Sequence, residues 1–278
     1  MTDKPTGPGL FDPADPGATK MASTYEEQMV PAVFGPWAED LVDRLDVRSG
    51  ECVLDVACGT GAVTRVLAGR VGPQGEVVGV DLNPAMLAQA ESLGLDRVEL
   101  READATQLPF GDAEFDLAVC QQGLQFVPEP ASAIAEMGRV LRPGGRVGLA
   151  CWNSPSENPS SAAILASAEA VGWNEGAAGF ARAFSLGDPE RLEALLREAG
   201  FEGIRISRQE KVAVFPDIPG WMSGFVEGPP FGAEAQQAGH ADMTRFVSGV
   251  VEHLDRYASG STHQIPWAAT VAVATKPL

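Results

Sequence analysis

Val53-Leu54-Asp55-Val56-Ala57-Cys58-Gly59-Thr60-Gly61 joins a hydrophobic run to a glycine-containing turn and places an acid just before that turn. A strand, a glycine turn and a helix bring backbone N–H groups close to a nucleotide-like ligand, because glycine leaves room for the approach. Dinucleotide-binding turns follow Gly-x-Gly-x-x-Gly, but the third glycine position here is Thr64. Asp55 would also repel a pyrophosphate. The stretch therefore predicts a ligand that is cationic at this end.

Two further acids follow the next two predicted strands. Asp81 ends the strand at residues 76–80 and comes 20 residues after Gly61, the offset at which an acid accepts hydrogen bonds from ribose hydroxyls in βαβ nucleotide folds. Asp104 follows a strand at residues 98–101, where it can accept from an adenine amine while the Ala105 N–H meets a ring nitrogen. S-adenosylmethionine carries an ammonium and a sulfonium but no phosphate, so we expect it as the cofactor.

At these residues the chain resembles the class I S-adenosylmethionine-dependent methyltransferases, in particular the group related to ubiquinone and menaquinone biosynthesis C-methyltransferases. The resemblance covers residues 25–152. Its motifs are Leu54-Asp55-Val56-Ala57-Cys58-Gly59-Thr60-Gly61, Val80-Asp81-Leu82-Asn83-Pro84-Ala85-Met86-Leu87, Asp104-Ala105 with Leu108-Pro109-Phe110, and Val140-Leu141-Arg142-Pro143-Gly144-Gly145. It implies transfer of a methyl group from the cofactor to an acceptor.

The resemblance also implies a role for each cofactor-site residue. Asp55 and the turn from Gly59 to Gly61 would hold the methionyl end, Asp81 the ribose, Leu82 and Met86 the adenine face, Asp104 and Ala105 the adenine edge, and Tyr25 the methionyl carboxylate. Apart from the resemblance, the side-chain amides of Gln121 and Gln122 can position an acceptor oxygen or the cofactor ammonium. A structural alternative exists for single residues, since Asp55 alone can cap a turn and Asp81 with Pro84 also starts a helix well. Their ordered occurrence at matching spacing favours cofactor binding.

No dedicated nucleophile is required for methyl transfer, because alignment of acceptor and methyl group in a water-poor pocket supplies much of the acceleration. A base helps a weakly acidic acceptor, and His263 is the preferred candidate, with Gln122 as a residue that positions an acceptor oxygen. Phe126 stands where many members of the resembled group carry a histidine. The metal-binding Asp and Asn of catechol-type enzymes are not recognisable, so we expect no metal.

The alternation of predicted strands and helices indicates an α/β fold with a doubly wound, mostly parallel seven-stranded sheet, helices on both faces and an antiparallel terminal strand. We expect that last strand to start after Pro266, and residues 25–45 to form two short helices interrupted by Pro31 and Pro36. Residues 1–20 read as a disordered leader, and 21–278 as one domain. Lid segments are expected at about 21–45, 153–187 and 216–264.

The second and third lid segments are too long for plain connections and carry an unusual supply of large apolar side chains. These are Trp173, Phe180, Phe184, Trp221, Met222, Phe225, Phe231 and Phe246. We expect about half of them to pack within the insertions and the others to line a substrate cavity. They predict a small lipophilic or aromatic acceptor of the natural-product kind.

The net charge and composition limit the kinds of molecule that the protein can be expected to bind. The chain has 278 residues, with 20 basic against 38 acidic residues and a net charge of -18, which opposes binding to nucleic acid or anionic lipid. Its 4 cysteines show no Cys-x-x-Cys spacing, and no apolar run is long enough to span a membrane. We expect a cytoplasmic protein with a small-molecule substrate.

Two other functions are compatible with the same cofactor motifs. The protein would then be a cyclase or rearrangement enzyme that binds S-adenosylmethionine without transferring its methyl group, or a noncatalytic cofactor-binding protein. Methyl-labelled cofactor distinguishes these cases, because a cyclase converts its substrate while the label stays on the cofactor.

Overall fold

Hydrophobic runs form the strands of one sheet in the computed structural model, which describes residues 17–95, 97–226 and 230–278. The strands are β1 (Cys52–Val56), β2 (Glu76–Asp81), β3 (Val98–Glu102), β4 (Phe115–Gln121), β5 (Leu141–Trp152), β6 (Glu202–Phe215), β7 (Ala258–Ser259) and β8 (Thr262–Thr275). Their order is β3-β2-β1-β4-β5-β8-β6, and the short β7 pairs with β8. Strands β1 to β5 pair in parallel, while β8 is antiparallel to both of its neighbours. The doubly wound, mostly parallel sheet with an antiparallel terminal strand is confirmed.

Helices cover both faces of the sheet. They are α1 (Gly17–Thr24), a π-helix (Tyr25–Phe34), α2 (Gly35–Asp43), α3 (Ala62–Val71), α4 (Pro84–Ser92), α5 (Pro130–Val140), α6 (Pro159–Val171), α7 (Asn174–Ala181), α8 (Pro189–Glu198), α9 (Ile218–Phe225), α10 (Gly232–Gln237) and α11 (His240–Leu254). None of those within the described ranges is long and apolar enough to cross a membrane.

The core lies in two hydrophobic clusters, one on each face of the sheet. Val53 of β1 belongs to the cluster that includes α2 and α3, whereas Leu54 belongs to the one that includes α5 and α8. This alternation follows from the two-residue period of a strand. Both side chains are fully buried, as expected for a parallel strand covered on both faces. The first cluster extends into α6, α9 and α11, so both long insertions share the main core.

The N-terminal segment differs from the prediction in two respects. Helix α1 begins at Gly17, inside the expected leader, and residues 1–16 of that leader lie outside the described residues. Pro31 does not separate two helices but lies within the π-helix. Wide i→i+5 bonds such as Gly35 N–H to Val30 O pass around the missing donor of Pro31. Pro36 occupies the first turn of α2, where proline is favoured.

The start of β8 was predicted wrongly, because β8 begins at Thr262 and includes Pro266. Ala268, two residues after Pro266, donates its N–H to Asn158 Oδ1, and its carbonyl accepts from the Asn153 N–H. The N–H and the carbonyl of Ala268 therefore both point away from β6. Residues two apart in a strand point the same way, so the nitrogen of Pro266 also faces away from β6, and no bond of the β6–β8 ladder is lost.

Asn158 connects the segment that follows β5 with strand β8 through hydrogen bonds of its side chain. Its side chain is fully buried; Nδ2 donates to Asn153 O at 2.9 Å and Ala268 O at 3.1 Å, and Oδ1 accepts from Ala268 N–H at 2.9 Å. Asn158 therefore fixes the end of β5, which forms part of the edge where parallel sheets bind ligands.

Replacing Asn158 by alanine should lower the free energy of unfolding by about 2–4 kcal/mol, because each buried polar group left unpaired costs roughly 1–3 kcal/mol. Urea denaturation measures the loss. Asn174→Ala is the control, since Asn174 is an exposed helix residue and its removal should cost less than about 0.5 kcal/mol. Equal losses for the two variants would contradict the structural role of Asn158.

Candidate functional site

The turn between β1 and α3 takes backbone conformations that suit its glycines. Gly59 has φ 57° and Gly61 has φ 86°, both in the left-handed region where glycine carries no steric penalty. Cys58 donates its N–H to Val80 O at 2.9 Å, and Gly59 donates its N–H to Asp81 Oδ2 at 2.8 Å. The turn is thus tied to the end of β2, and Asp81 lies beside it.

Asp81 accepts two backbone hydrogen bonds. Its Oδ2 accepts from Gly59 N–H, and its Oδ1 accepts from Asn83 N–H at 2.8 Å. A carboxylate has about four lone-pair positions, so both oxygens keep acceptor capacity for a ligand. Burial raises the pKa of Asp81, although the N–H groups of Asn83 and Gly59 act in the opposite direction. A diol that donated to this carboxylate would stabilise its charged form.

Asp55 is the more enclosed acid, with 1% of its surface exposed. Burial raises its pKa to about 7, the charge of Asp81 adds to the shift, and the Thr64 hydroxyl, which donates to Oδ2 at 2.6 Å, opposes it. A cation placed beside Asp55 would favour the ionised form. The site therefore favours binding of a positively charged ligand.

A cavity of about 400 Å³ opens at the carboxyl ends of β1, β2, β3 and β4, where open α/β sheets bind ligands. Its walls include nearly all of the residues that the sequence analysis predicts for the site. These are Tyr25, Asp55, Gly59, Asp81, Leu82, Met86, Asp104, Ala105, Gln121 and Gln122. Gly61 is not part of the wall; it lies behind the turn as the residue that precedes α3.

His263 does not line the cavity, which corrects its prediction as a base. Because β8 begins earlier than expected, His263 lies inside the strand, paired with Phe215 of β6 and Ala258 of β7. All three histidines of the chain are in described segments, and none of them is in the cavity wall. The wall contains carboxyl and amide groups but offers no imidazole base.

The π-helix closes one side of the cavity. Tyr25 lines it and stacks on Phe34 with 4.4 Å between ring centroids. Burial, followed by the charges of Asp81 and Glu26, raises the pKa of the Tyr25 phenol, so this phenol stays protonated as a donor. The Glu26 carboxylate accepts from the Thr60 hydroxyl at 2.6 Å and from the Arg65 guanidinium at 2.8 Å. These contacts fasten the helix to the glycine turn.

The two long insertions divide their large apolar residues between cavity and core. Phe180, Phe184, Trp221 and Phe225 line the cavity, whereas Trp173, Met222, Phe231 and Phe246 are buried in the first hydrophobic cluster and are not in the wall. The three inner aromatic rings pack against one another, with Trp173 stacked on Phe246 at 4.9 Å between ring centroids. Four of these eight residues therefore line the cavity and can contact a ligand.

Several wall residues were missed from the sequence because no motif marks them. They are Met21, Thr24, Trp152, Ile164, Arg182, Ala183 and Trp267, among others.

The indole nitrogens of Trp221 and Trp267 and both side-chain amide atoms of Gln122 are buried without a hydrogen-bond partner within the described ranges. Gln122 also has φ 47°, which is strained for a residue other than glycine. Unpaired polar groups and backbone strain are typical of binding sites.

The raised pKa of Asp55 makes the stability of the ligand-free protein depend on pH. A folded-state pKa of about 7 against an unfolded value of 3.8 means that the folded state binds the extra proton. The protonated form stabilises the fold fully below pH 3.8, and this contribution is lost as pH rises towards 7.

Asp55→Asn keeps an oxygen for the Thr64 hydroxyl but does not ionise. Between pH 5 and pH 8 the parent protein should therefore lose about 2 kcal/mol of unfolding free energy relative to this variant. Urea denaturation of both proteins across that range measures the difference. A difference that does not change with pH would show that Asp55 ionises normally in the folded state.

Comparison with known proteins shows what part of this chain is similar to methyltransferases. A family model described as a methyltransferase domain matches residues 54–149. The demethylmenaquinone methyltransferase of Bacillus cytotoxicus is 43% identical over 115 residues, which are 40% of this chain and 48% of that protein. That of Lactobacillus johnsonii is 38% identical over 149 residues, which are 51% of this chain and 61% of that protein. The chain thus spans only about half to three fifths of the length of these relatives.

A solved structure supports the fold. Phosphoethanolamine N-methyltransferase 2 of Haemonchus contortus, in complex with phosphomonomethylethanolamine and S-adenosylhomocysteine, superposes with a TM-score of 0.56 at 20% identity, covering 87% of this chain and 53% of that chain. The matched residues 54–149 contain the end of β1, all of β2 to β4, most of β5, and the glycine turn with its three acids. Over these residues the chain is similar to methyltransferase domains, and in particular to the demethylmenaquinone methyltransferases.

Proposed function

We propose that this protein transfers the methyl group of S-adenosylmethionine to a small lipophilic or aromatic acceptor. The observation that carries the proposal is the pair of carboxyl groups, Asp55 and Asp81, on the two strands that flank one glycine turn at a largely apolar cavity. Such a pair suits a ligand with positive charge and a ribose, and it disfavours one with a pyrophosphate.

The residues present fit the cofactor. Asp81 accepts from the ribose hydroxyls while Gly59 N–H and Asn83 N–H hold it in place. Leu82 is 61% exposed on the cavity wall, and an adenine ring would cover this apolar surface with Met86 beneath it. Asp104 and Ala105 line the same cavity and would contact the adenine edge.

The methionyl end belongs at Asp55 and the glycine turn. Asp55 would be held in its ionised form by the cofactor ammonium, the Tyr25 hydroxyl would donate to the cofactor carboxylate, and the Gln121 side chain would contact the ammonium. The Gln121 Nε2 already donates to Phe34 O at 3.1 Å, which leaves its Oε1 as the acceptor. Bound S-adenosylmethionine supplies an electrophilic methyl group on a sulfonium.

The protein acts on the acceptor by orientation and exclusion of water. Phe180, Phe184, Trp221 and Phe225 enclose the outer part of the cavity, and the amide of Gln122, which has no protein partner in the described ranges, positions an acceptor oxygen. Because the wall offers no imidazole, the acceptor should be one that needs little help from a base, such as an electron-rich aromatic carbon or an acidic phenol. The relation to demethylmenaquinone methyltransferases supports a reduced quinone-type acceptor.

Asp81→Ala should weaken binding of S-adenosylhomocysteine by at least about tenfold, because hydrogen bonds to a charged group contribute roughly 1.5–3 kcal/mol. Isothermal titration calorimetry measures the affinity. Glu102→Ala is a matched control, since Glu102 pairs with Asp81 in the β2–β3 ladder but is exposed and outside the cavity wall. Unchanged affinity in a folded Asp81→Ala protein would refute the ribose assignment.

Methyl transfer itself is tested with methyl-labelled S-adenosylmethionine and reduced 1,4-naphthoquinone, which offers a free ring carbon and two hydroxyls. Label should appear in the extracted aromatic product, and Gln122→Ala should reduce the rate more than it reduces cofactor affinity. Conversion of an acceptor with the label retained on the cofactor would contradict methyl transfer and support a rearrangement. Cofactor binding without any turnover across a panel of aromatic acceptors would contradict the proposed activity.

A further inference from the structure

Arg182 is a cationic residue in the wall of an otherwise acidic and apolar cavity. It begins the short helical turn Arg182–Phe184 between α7 and α8. That turn packs against the one at Leu124–Phe126, which follows β4, and Ala183 and Phe184 also line the cavity. Within the described ranges Arg182 is the one lysine or arginine in the wall. Its side chain is exposed, so it lies where the cavity meets solvent.

The acidic charge balance of the chain gives most arginines a carboxylate partner. Acidic residues outnumber basic ones by 38 to 20, and most described arginines form ion pairs, as Arg65 does with Glu26 and Arg139 with Glu136. The Arg182 side chain makes no hydrogen bond or ion pair with any part of the protein that the structure describes. The described arginines without an ion pair also include Arg97, Arg191, Arg205 and Arg256, but these four lie outside the cavity wall. Position at the cavity therefore distinguishes Arg182.

We propose that the acceptor substrate carries an anionic group, such as a carboxylate, that Arg182 binds at the mouth of the cavity. This inference rests on the proposed function and names the substrate class more closely: an aromatic or apolar acid. The planar guanidinium fork matches a carboxylate or sulfonate through two parallel hydrogen bonds.

The distribution of polarity along the cavity supports this orientation. Asp55 and Asp81 lie at the strand ends, and the aromatic residues Phe184 and Trp221 lie in the insertions that cover them. An anion would be repelled at the strand ends and would be costly to desolvate among the aromatic rings. At Arg182 it meets a positive charge and stays partly hydrated, while its apolar body extends inward.

This orientation also constrains the reacting atom. The anionic group remains at the mouth, and the methyl group is delivered near the glycine turn, so the acceptor atom must lie on the part of the substrate distant from the anion. The cofactor's own carboxylate is assigned to Tyr25 and is not the proposed partner of Arg182. Cofactor affinity in an Arg182 variant tests that distinction.

Two fluorescent probes share one aromatic body and differ in charge: 8-anilinonaphthalene-1-sulfonate is an anion, and N-phenyl-1-naphthylamine is neutral. Each is titrated into the protein saturated with S-adenosylhomocysteine. Arg182→Gln should weaken binding of the sulfonate by about tenfold and leave the neutral probe within twofold. Arg182→Lys should retain part of the sulfonate affinity because it keeps the charge.

Arg191→Gln is the matched control, because it removes another exposed, unpaired arginine and changes the net charge equally. It should leave both affinities unchanged. Equal sulfonate affinities for the Arg182→Gln and Arg191→Gln proteins, or no saturable binding of the sulfonate by the parent, would overturn the inference. So would weaker S-adenosylhomocysteine binding in Arg182→Gln, which would assign Arg182 to the cofactor. If the parent itself fails to bind S-adenosylhomocysteine, the proposed function fails instead.

Discussion

The hydrogen bond from Gly59 N–H to Asp81 Oδ2 is the contact on which the site depends. It joins the turn after β1 to the end of β2, and it requires a backbone at Gly59 that a side chain would strain. Because the bond holds both the turn and the acid, the position of one determines the position of the other. The cavity floor is thereby set by a main-chain turn and by one carboxylate that the turn holds in place.

Burial of carboxyl groups has a cost that the ligand-free protein bears at neutral pH. Asp55 and Asp81 both have a raised pKa because burial disfavours their charge. No positively charged side chain of the described wall offsets this cost at the strand ends, because its one lysine or arginine, Arg182, lies at the mouth of the cavity. A cationic ligand at the strand ends relieves this cost, and so the arrangement favours binding over stability.

The sequence predicted the doubly wound, mostly parallel sheet. Ten of the eleven residues assigned to the cofactor and to the acceptor amide lie in one cavity wall, because these residues follow short-range rules of strand, turn and spacing. Gly61 supports the turn from behind and does not reach the wall. His263 was misplaced because the pairing of Pro266 with β6 is a tertiary effect that overrides the tendency of proline to end a strand. Arg182 and Trp267 were missed for a related reason: their distance along the chain from every motif conceals their place in the wall.

The contacts of Glu26 bear on how fast a molecule can exchange with the cavity. The π-helix is one wall, and a single carboxylate bonds it to Thr60 and Arg65. A molecule that entered or left on this side would require those bonds to break, so its exchange would follow a local opening of the chain. Salt, which screens the partly exposed Glu26–Arg65 pair, would then act on the residence time of the ligand as well as on its affinity.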